Sequence, residues 1–182
     1  RPSKIIEVGS GYSSALMLDA VDISKRSDVE LTFIEPYPER LFSLLSDKDK
    51  KSVSIVESTV QSVSLHLFDS LNSGDILFID SSHVVKTDSD VHFILFNVLP
   101  RLKPGVLIHF HDIFYPFEYP KPWVLKGRNW NEAYFLRAFL SYNEKFRILL
   151  FPSFLHLAHP EVFASIPMCY KDFGGSIWIE KK

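Results

Sequence analysis

The sequence has one cysteine, Cys169, so no internal disulfide can form, and no cysteine–histidine spacing around it suits a zinc site. A reducing cytoplasm is the compartment this cysteine usage fits. No apolar run approaches the ~18 residues a membrane-crossing helix needs, and no leader-like segment precedes the first strand. An excess of one charge is also missing. The 20 Lys and Arg against 22 Asp and Glu leave a formal net charge of −2, which gives no general field for nucleic acid or an anionic membrane. No internal repeat, low-complexity tract or linker interrupts the chain. It reads as one domain over residues 1–182. Because it opens almost directly on a strand, N-terminal residues of a longer protein are expected before Arg1.

What is present is ordinary globular material, 46 % hydrophobic and 23 % charged, at a length that suits one α/β domain. Aromatic residues make up 14 %, with 16 Phe, and many fall between residues 93 and 154. That concentration serves either a large core or an aromatic substrate pocket. Lys48, Lys50 and Lys51 alternate with Asp47 and Asp49 and read as a solvated turn.

Short apolar runs alternate with longer amphipathic ones. Strands are expected at residues 5–8, 31–34, 53–56, 75–80, 105–111, 146–151 and 176–180. Helices are expected at 13–24, 38–45, within 60–71, at 87–99 with Pro100 as the stop, and at 131–142. Residues 113–129 read as a long connection carrying Pro116, Pro120 and Pro122. Such alternation argues a mainly parallel sheet with helices on both faces, whose ligands bind beyond the carboxyl ends of the strands. Glu7, Gly9, Gly11, Glu35, Asp80, His111 and Asp112 all stand at such ends.

Glu7-Val8-Gly9-Ser10-Gly11-Tyr12-Ser13 joins the first strand to the first helix. Glycines permit a sharp turn, and a helix amino terminus offers free N–H donors to a carboxylate or phosphate. Glu35 ends the second strand, where a carboxylate can accept hydrogen bonds from both ribose hydroxyls. Pro36 and Tyr37 could then turn the chain over an adenine. These features also fit NAD and an oxidoreductase. Against that, Ser14 occupies the place of the third glycine of the dinucleotide pattern. Glu7, moreover, puts an acid where it can engage the ammonium of an amino-acid-bearing cofactor.

The acid-x-Gly-x-Gly run, with Ser13 at its last glycine, resembles the first motif of class I S-adenosylmethionine-dependent methyltransferases. It is closest to bacterial small-molecule and sugar O-methyltransferases. The resemblance implies a Rossmann-like, seven-stranded α/β sheet, mainly parallel, with a C-terminal antiparallel hairpin. It assigns S-adenosylmethionine to Glu7, Gly9, Ser10, Gly11, Tyr12, Ser13, Glu35, Pro36, Val60, Gln61, Asp80 and Ser81. It also makes the fourth and fifth strands neighbours, which would bring Asp80, His83, His111 and Asp112 together as the catalytic group. In metal-assisted relatives, acids at the places of Asp80 and Asp112 hold Mg or Mn. His111 would complete that set and would favour a softer ion. The competing mechanism uses His83 or His111 as a general base without metal.

The acceptor expected on this resemblance is a small hydroxylated molecule, such as a sugar, and not a nucleic acid. Phe114 to Pro120, with Trp123 and Trp130, would cover it or else pack on the core. Arg128 and Asn131 stand nearby without an assigned role. His109 and His111 share one strand face, so one of them is expected in the core. His66, His92, His156 and His159 are read as structural. A non-catalytic nucleoside-binding domain is the remaining alternative.

Overall fold

Seven strands form one sheet in the computed structural model, which describes residues 1–182. They are β1 (Lys4–Val8), β2 (Glu30–Ile34), β3 (Ser54–Val56), β4 (Ile76–Ile79), β5 (Leu107–His111), β6 (Phe146–Leu150) and β7 (Ser176–Lys181). The spatial order is β3-β2-β1-β4-β5-β7-β6. The first five strands run parallel, and β7 lies antiparallel between β5 and β6. Strand order reverses between β1 and β4, which opens a crevice at their carboxyl ends.

The two faces of the sheet separate by strand alternation. Ile6 and Val8 of β1, Leu77 and Ile79 of β4, and Ile108 and Phe110 of β5 enter the larger core. There they meet Val91, Ile94, Leu95 and Val98 from the segment before β5. Ile5, Leu31 and Phe33 face the other way and pack with Leu41 and Leu45, against Met17, Leu18 and Val21. The latter three lie on α1 (Tyr12–Ile23), and Leu41 lies on α2 (Glu39–Leu44).

Several local expectations change. The charged run at 47–52 is a helix, α3 (Asp47–Ser52), and not a turn. Ser46 and Asp49 form a reciprocal capping box. Acids in the first turn and lysines in the last match the helix dipole. The helix expected within 60–71 is a 3₁₀ turn at Val60–Ser62 followed by α4 (Leu65–Asp69). The helix expected at 87–99 begins later, as α5 (Asp90–Phe93), with Ser89 as its cap. It widens into a π turn at Ile94–Val98 and passes Pro100 inside a 3₁₀ turn, Leu99–Arg101. A proline fits there because it stands in the first turn of the new segment, where no helical donor is lost.

The 113–129 connection contains α6 (Lys121–Leu125). α7 (Glu132–Leu140) precedes β6. The final antiparallel strands are joined through α8 (Pro152–Ala158), a 3₁₀ turn and α9 (Pro167–Lys171), rather than by a tight turn. No helix is long and apolar enough to cross a membrane.

Candidate active site

The turn after β1 is stitched to both neighbouring strands. The Gly9 N–H donates to the Ile34 carbonyl at 3.0 Å, and the Asp80 N–H donates to the Val8 carbonyl at 2.9 Å. Gly9 has φ +86°, and a Cβ on it would lie 1.8 Å from the Asp80 carbonyl oxygen. Its lack of a side chain is therefore demanded first by the tip of β4. Ser14, at the expected third-glycine position, is fully buried. Its hydroxyl accepts from the Gly11 N–H at 2.9 Å and donates to Glu7.

Glu7 is also fully buried, accepts a second hydroxyl from Ser13, and lines neither of the cavities at the strand ends. The acid expected to meet the ligand's ammonium thus sits behind the turn and fixes its shape. Burial pushes its carboxyl up to about 7, against the opposing pull of the two serine hydroxyls.

The other expected residues open onto two adjoining cavities, of about 1010 Å³ and about 660 Å³. Gly9, Glu35, Asp80 and Ser81 border both. Ser10, Gly11, Tyr12 and Ser13 line the first, and Pro36, Val60 and Gln61 line the second. Glu35 accepts from the Ser10 N–H at 3.0 Å and the Tyr37 N–H at 2.9 Å, so one carboxylate ties the loops after β1 and β2 together. Gln61 donates its amide N–H to the Asp88 carbonyl at 2.7 Å. The hydroxyls of Ser10 and Ser81 are buried without a partner in the protein, as expected at a wall that receives a polar ligand.

At the larger cavity the tips of β4 and β5 bring Asp80, His111 and Asp112 together, with donor atoms all within 4.8 Å of one another. Two carboxylates and an imidazole at this separation are a donor set that suits a divalent cation. Asp112 has φ +56° and donates its N–H to the Gly175 carbonyl at 2.7 Å, so the residue just before β7 anchors this tip.

His83, with φ +59°, is buried against the same group. Its Nε2 stands 3.4 Å from Asp80 Oδ1 and 3.8 Å from Asp112 Oδ2, and its Nδ1 stands 2.8 Å from Glu132 Oε2. Burial alone would lower its pKa. Hydrogen bonds to Asp80 and Glu132 and the charge of Asp112 outweigh that and raise it to about 9. Burial would raise Asp80, but His83 and His111 hold it below the usual carboxylate range. Asp112, by contrast, is raised by burial.

His109 and His111 divide as expected. His109 is buried, stacks on Phe78 at 4.0 Å with Trp178 at its edge, and is pushed down to about 3 by burial. It stays neutral. The His111 side chain is 43 % exposed and faces the cavity.

The aromatic loop is divided between the cavity wall and the core. Phe114, Pro120, Trp123 and Trp130 line the cavity, while Tyr119 is buried in the core and Phe117 packs on Phe151. The Arg128 guanidinium lies over both Trp123 and Trp130, 4.2 and 4.8 Å from their centroids. Asn131 turns away and holds the Val85 backbone by two bonds. Sequence reasoning passed over Glu132. An acid in the first turn of a helix has an ordinary explanation in the dipole, and nothing local marks it as the partner of His83.

A family model described as "Methyltransferase domain" matches residues 6–113. An uncharacterized protein of Archaeoglobus fulgidus is 30 % identical over 82 residues, which cover 42 % of this chain. The chain spans about a third (34 %) of that relative's length. Among solved structures, the plantazolicin methyltransferase BpumL, in complex with a desmethyl-plantazolicin analog and SAH, aligns with a TM-score of 0.60 at 16 % identity. The match covers 100 % of this chain and 77 % of that one. The O-methyltransferase TomG from Streptomyces achromogenes, with SAM, aligns at 0.57 and 16 %, covering 99 % and 73 %. CmcI with Mg and SAM aligns at 0.52 and 15 %, covering 100 % and 66 %. At these identities the structural likeness speaks for the fold. The family rests on the model match.

Proposed function

The chain belongs to the methyltransferase domain family, and from that premise we propose that it moves a methyl group from S-adenosylmethionine to a hydroxyl of a small molecule, such as a sugar. One observation carries the reading: the glycine turn, Glu35 and the acidic tips of β4 and β5 border one continuous crevice. The SAM or SAH bound by TomG and BpumL, on the same fold, supports this choice of methyl donor.

In the proposed mode the free N–H groups at the start of α1 receive the donor's carboxylate, while the N–H groups of Gly9, Ser10 and Gly11 are already held by Ile34, Glu35 and Ser14 and shape the turn beneath it. Glu35 has lone pairs left after its two backbone bonds and accepts from the ribose hydroxyls. Pro36, Val60 and Gln61 flank the adenine in the second cavity. Asp80, His111 and Asp112 would hold a divalent ion, and CmcI with Mg supports that reading. Such an ion lowers the pKa of an acceptor hydroxyl. Where no ion is used, His111 is the group placed to take the hydroxyl proton. His83 is not, because its two nitrogens are committed to carboxylates and its pKa of about 9 keeps it charged at neutrality. Phe114, Trp123 and Trp130 offer apolar faces to the acceptor and exclude water beside the reacting atoms. A reducing cytoplasm is the setting we infer for this chemistry.

The test is calorimetry with S-adenosylhomocysteine and NADH, followed by turnover on a panel of sugars and phenols with and without Mn²⁺. S-adenosylhomocysteine should bind and NADH should not. Asp80→Ala should abolish turnover, and Glu35→Ala should weaken S-adenosylhomocysteine binding by roughly tenfold, the loss of one good hydrogen-bonding group. Tight binding of NADH alone, or full activity in Asp80→Ala, defeats the proposal. Binding of S-adenosylhomocysteine without methylation of any acceptor would favour a non-catalytic nucleoside-binding domain.

A further inference from the structure

We infer that Glu132 is a positioning residue for the reacting cluster, acting through His83 to hold the Asp80 and Asp112 carboxylates in one arrangement. The inference rests on the reading of Asp80 and Asp112 as that cluster.

Three consecutive residues at the start of α7 converge on one loop. The Trp130 ring lies against the His83 ring, with centroids 4.2 Å apart. The Asn131 side chain accepts from the Val85 N–H at 2.6 Å and donates to the Val85 carbonyl at 3.1 Å. The backbone N–H groups of Asn131 and Glu132 both donate to the His83 carbonyl, at 3.1 and 3.2 Å. That carbonyl therefore caps the helix, a task the Asn131 side chain does not perform. The loop after β4 is fixed in backbone and ring by an element distant in sequence.

The Glu132 carboxylate completes this clamp. It is 1 % exposed, with one oxygen 2.8 Å from His83 Nδ1 and the other without any partner. A buried carboxylate left half-satisfied is costly, so a helix start alone gives no reason to keep it. Its effect on His83 is specific. With Glu132 accepting at Nδ1, that nitrogen must carry a proton, and the ring is turned so that Nε2 points between Asp80 and Asp112. Groups hydrogen-bonded to metal-ligating carboxylates orient them, and losing such an outer partner weakens metal binding roughly 10–100-fold.

Glu132→Asp keeps the charge but shortens the reach, whereas Glu132→Gln keeps the reach and loses the charge. Mn²⁺ affinity, followed by electron paramagnetic resonance, should fall at least about tenfold in Glu132→Asp and stay within about threefold of wild type in Glu132→Gln. S-adenosylhomocysteine affinity should hold in both and serves as the control for folding. The reverse order, or equal losses in both, would mean that only charge or bulk packing matters and would overturn the inference.

A second reading needs no metal. In the metal-free protein the side-chain carboxyl ¹³C signals of Asp80 and Asp112 should split or broaden in Glu132→Asp and stay single in Glu132→Gln. Unchanged signals in Glu132→Asp overturn the inference whether or not Mn²⁺ binds. A wild type that binds no Mn²⁺ but gives the expected carboxyl signals removes the metal from the preceding section and upholds the positioning role.

Discussion

Glu7 is a carboxyl group that water cannot reach, held by two serine hydroxyls one turn away in the same chain. Its pKa rises from 4.5 to about 7, so the folded state holds this proton more tightly than the unfolded state does. The stabilisation is fully present below about pH 4.5 and is lost as pH rises to about 7; integrated over that window it is on the order of 3 kcal/mol. Glu7→Gln removes the titration. Its urea midpoint relative to wild type should therefore improve between pH 4.5 and pH 8. A difference that does not vary with pH would show that Glu7 is not titrating in the folded protein. At this scale the sequence disclosed the residue and not its direction. An acid before a glycine turn is visible in the string of letters. Whether it faces the crevice or its back is set by strand alternation and by Ser14, whose hydroxyl fills the place of the absent glycine.

Among the elements, α3 and the segment before β5 show what local chemistry decides and what it does not. The Ser46-x-x-Asp49 box is legible in the sequence and is a local reason for a helix, whereas the alternating charges by themselves fit a solvated turn equally well. Ser46→Ala should cost about 1 kcal/mol of stability, read as a shift in urea midpoint, with S-adenosylhomocysteine affinity unchanged. No loss would mean that α3 is held by packing alone. Pro100 misled in the opposite sense. Its lack of an N–H argues for a stop, yet the buried Ile94, Leu95, Val98 and Leu99 keep the chain helical by widening one turn and tightening the next. α7 teaches a third lesson. Its apolar positions were readable, but its first residues are committed to a loop almost fifty positions earlier.

For the whole molecule, the reversal of strand order between β1 and β4 gathers the turn, Glu35 and the two acidic tips at one crevice. A ligand that fills it binds only the folded chain. S-adenosylhomocysteine at a hundredfold excess over its Kd should therefore stabilise the protein by about 2.7 kcal/mol, a rise in Tm of ~5–10 °C. NADH at the same concentration should give no shift, and a shift with NADH alone would contradict the assigned ligand. The crevice is continuous because β5 pairs with β4 on one side and with the antiparallel β7 on the other. β7 delivers Gly175 to the Asp112 tip, a contact between segments more than sixty residues apart that no local pattern announces.

The order of elements, the parallel sheet and the residues at the strand ends were determined by the sequence itself. Hydrophobic period and glycine turns are local properties, encoded within a few residues of where they act. The inward turn of Glu7, the neutral burial of His109 and the grip of Glu132 on His83 were decided only by the tertiary structure. Each depends on which distant group excludes water from a side chain or offers it a proton. That partner is chosen when strands and helices pack, so it has no signature in the neighbouring sequence.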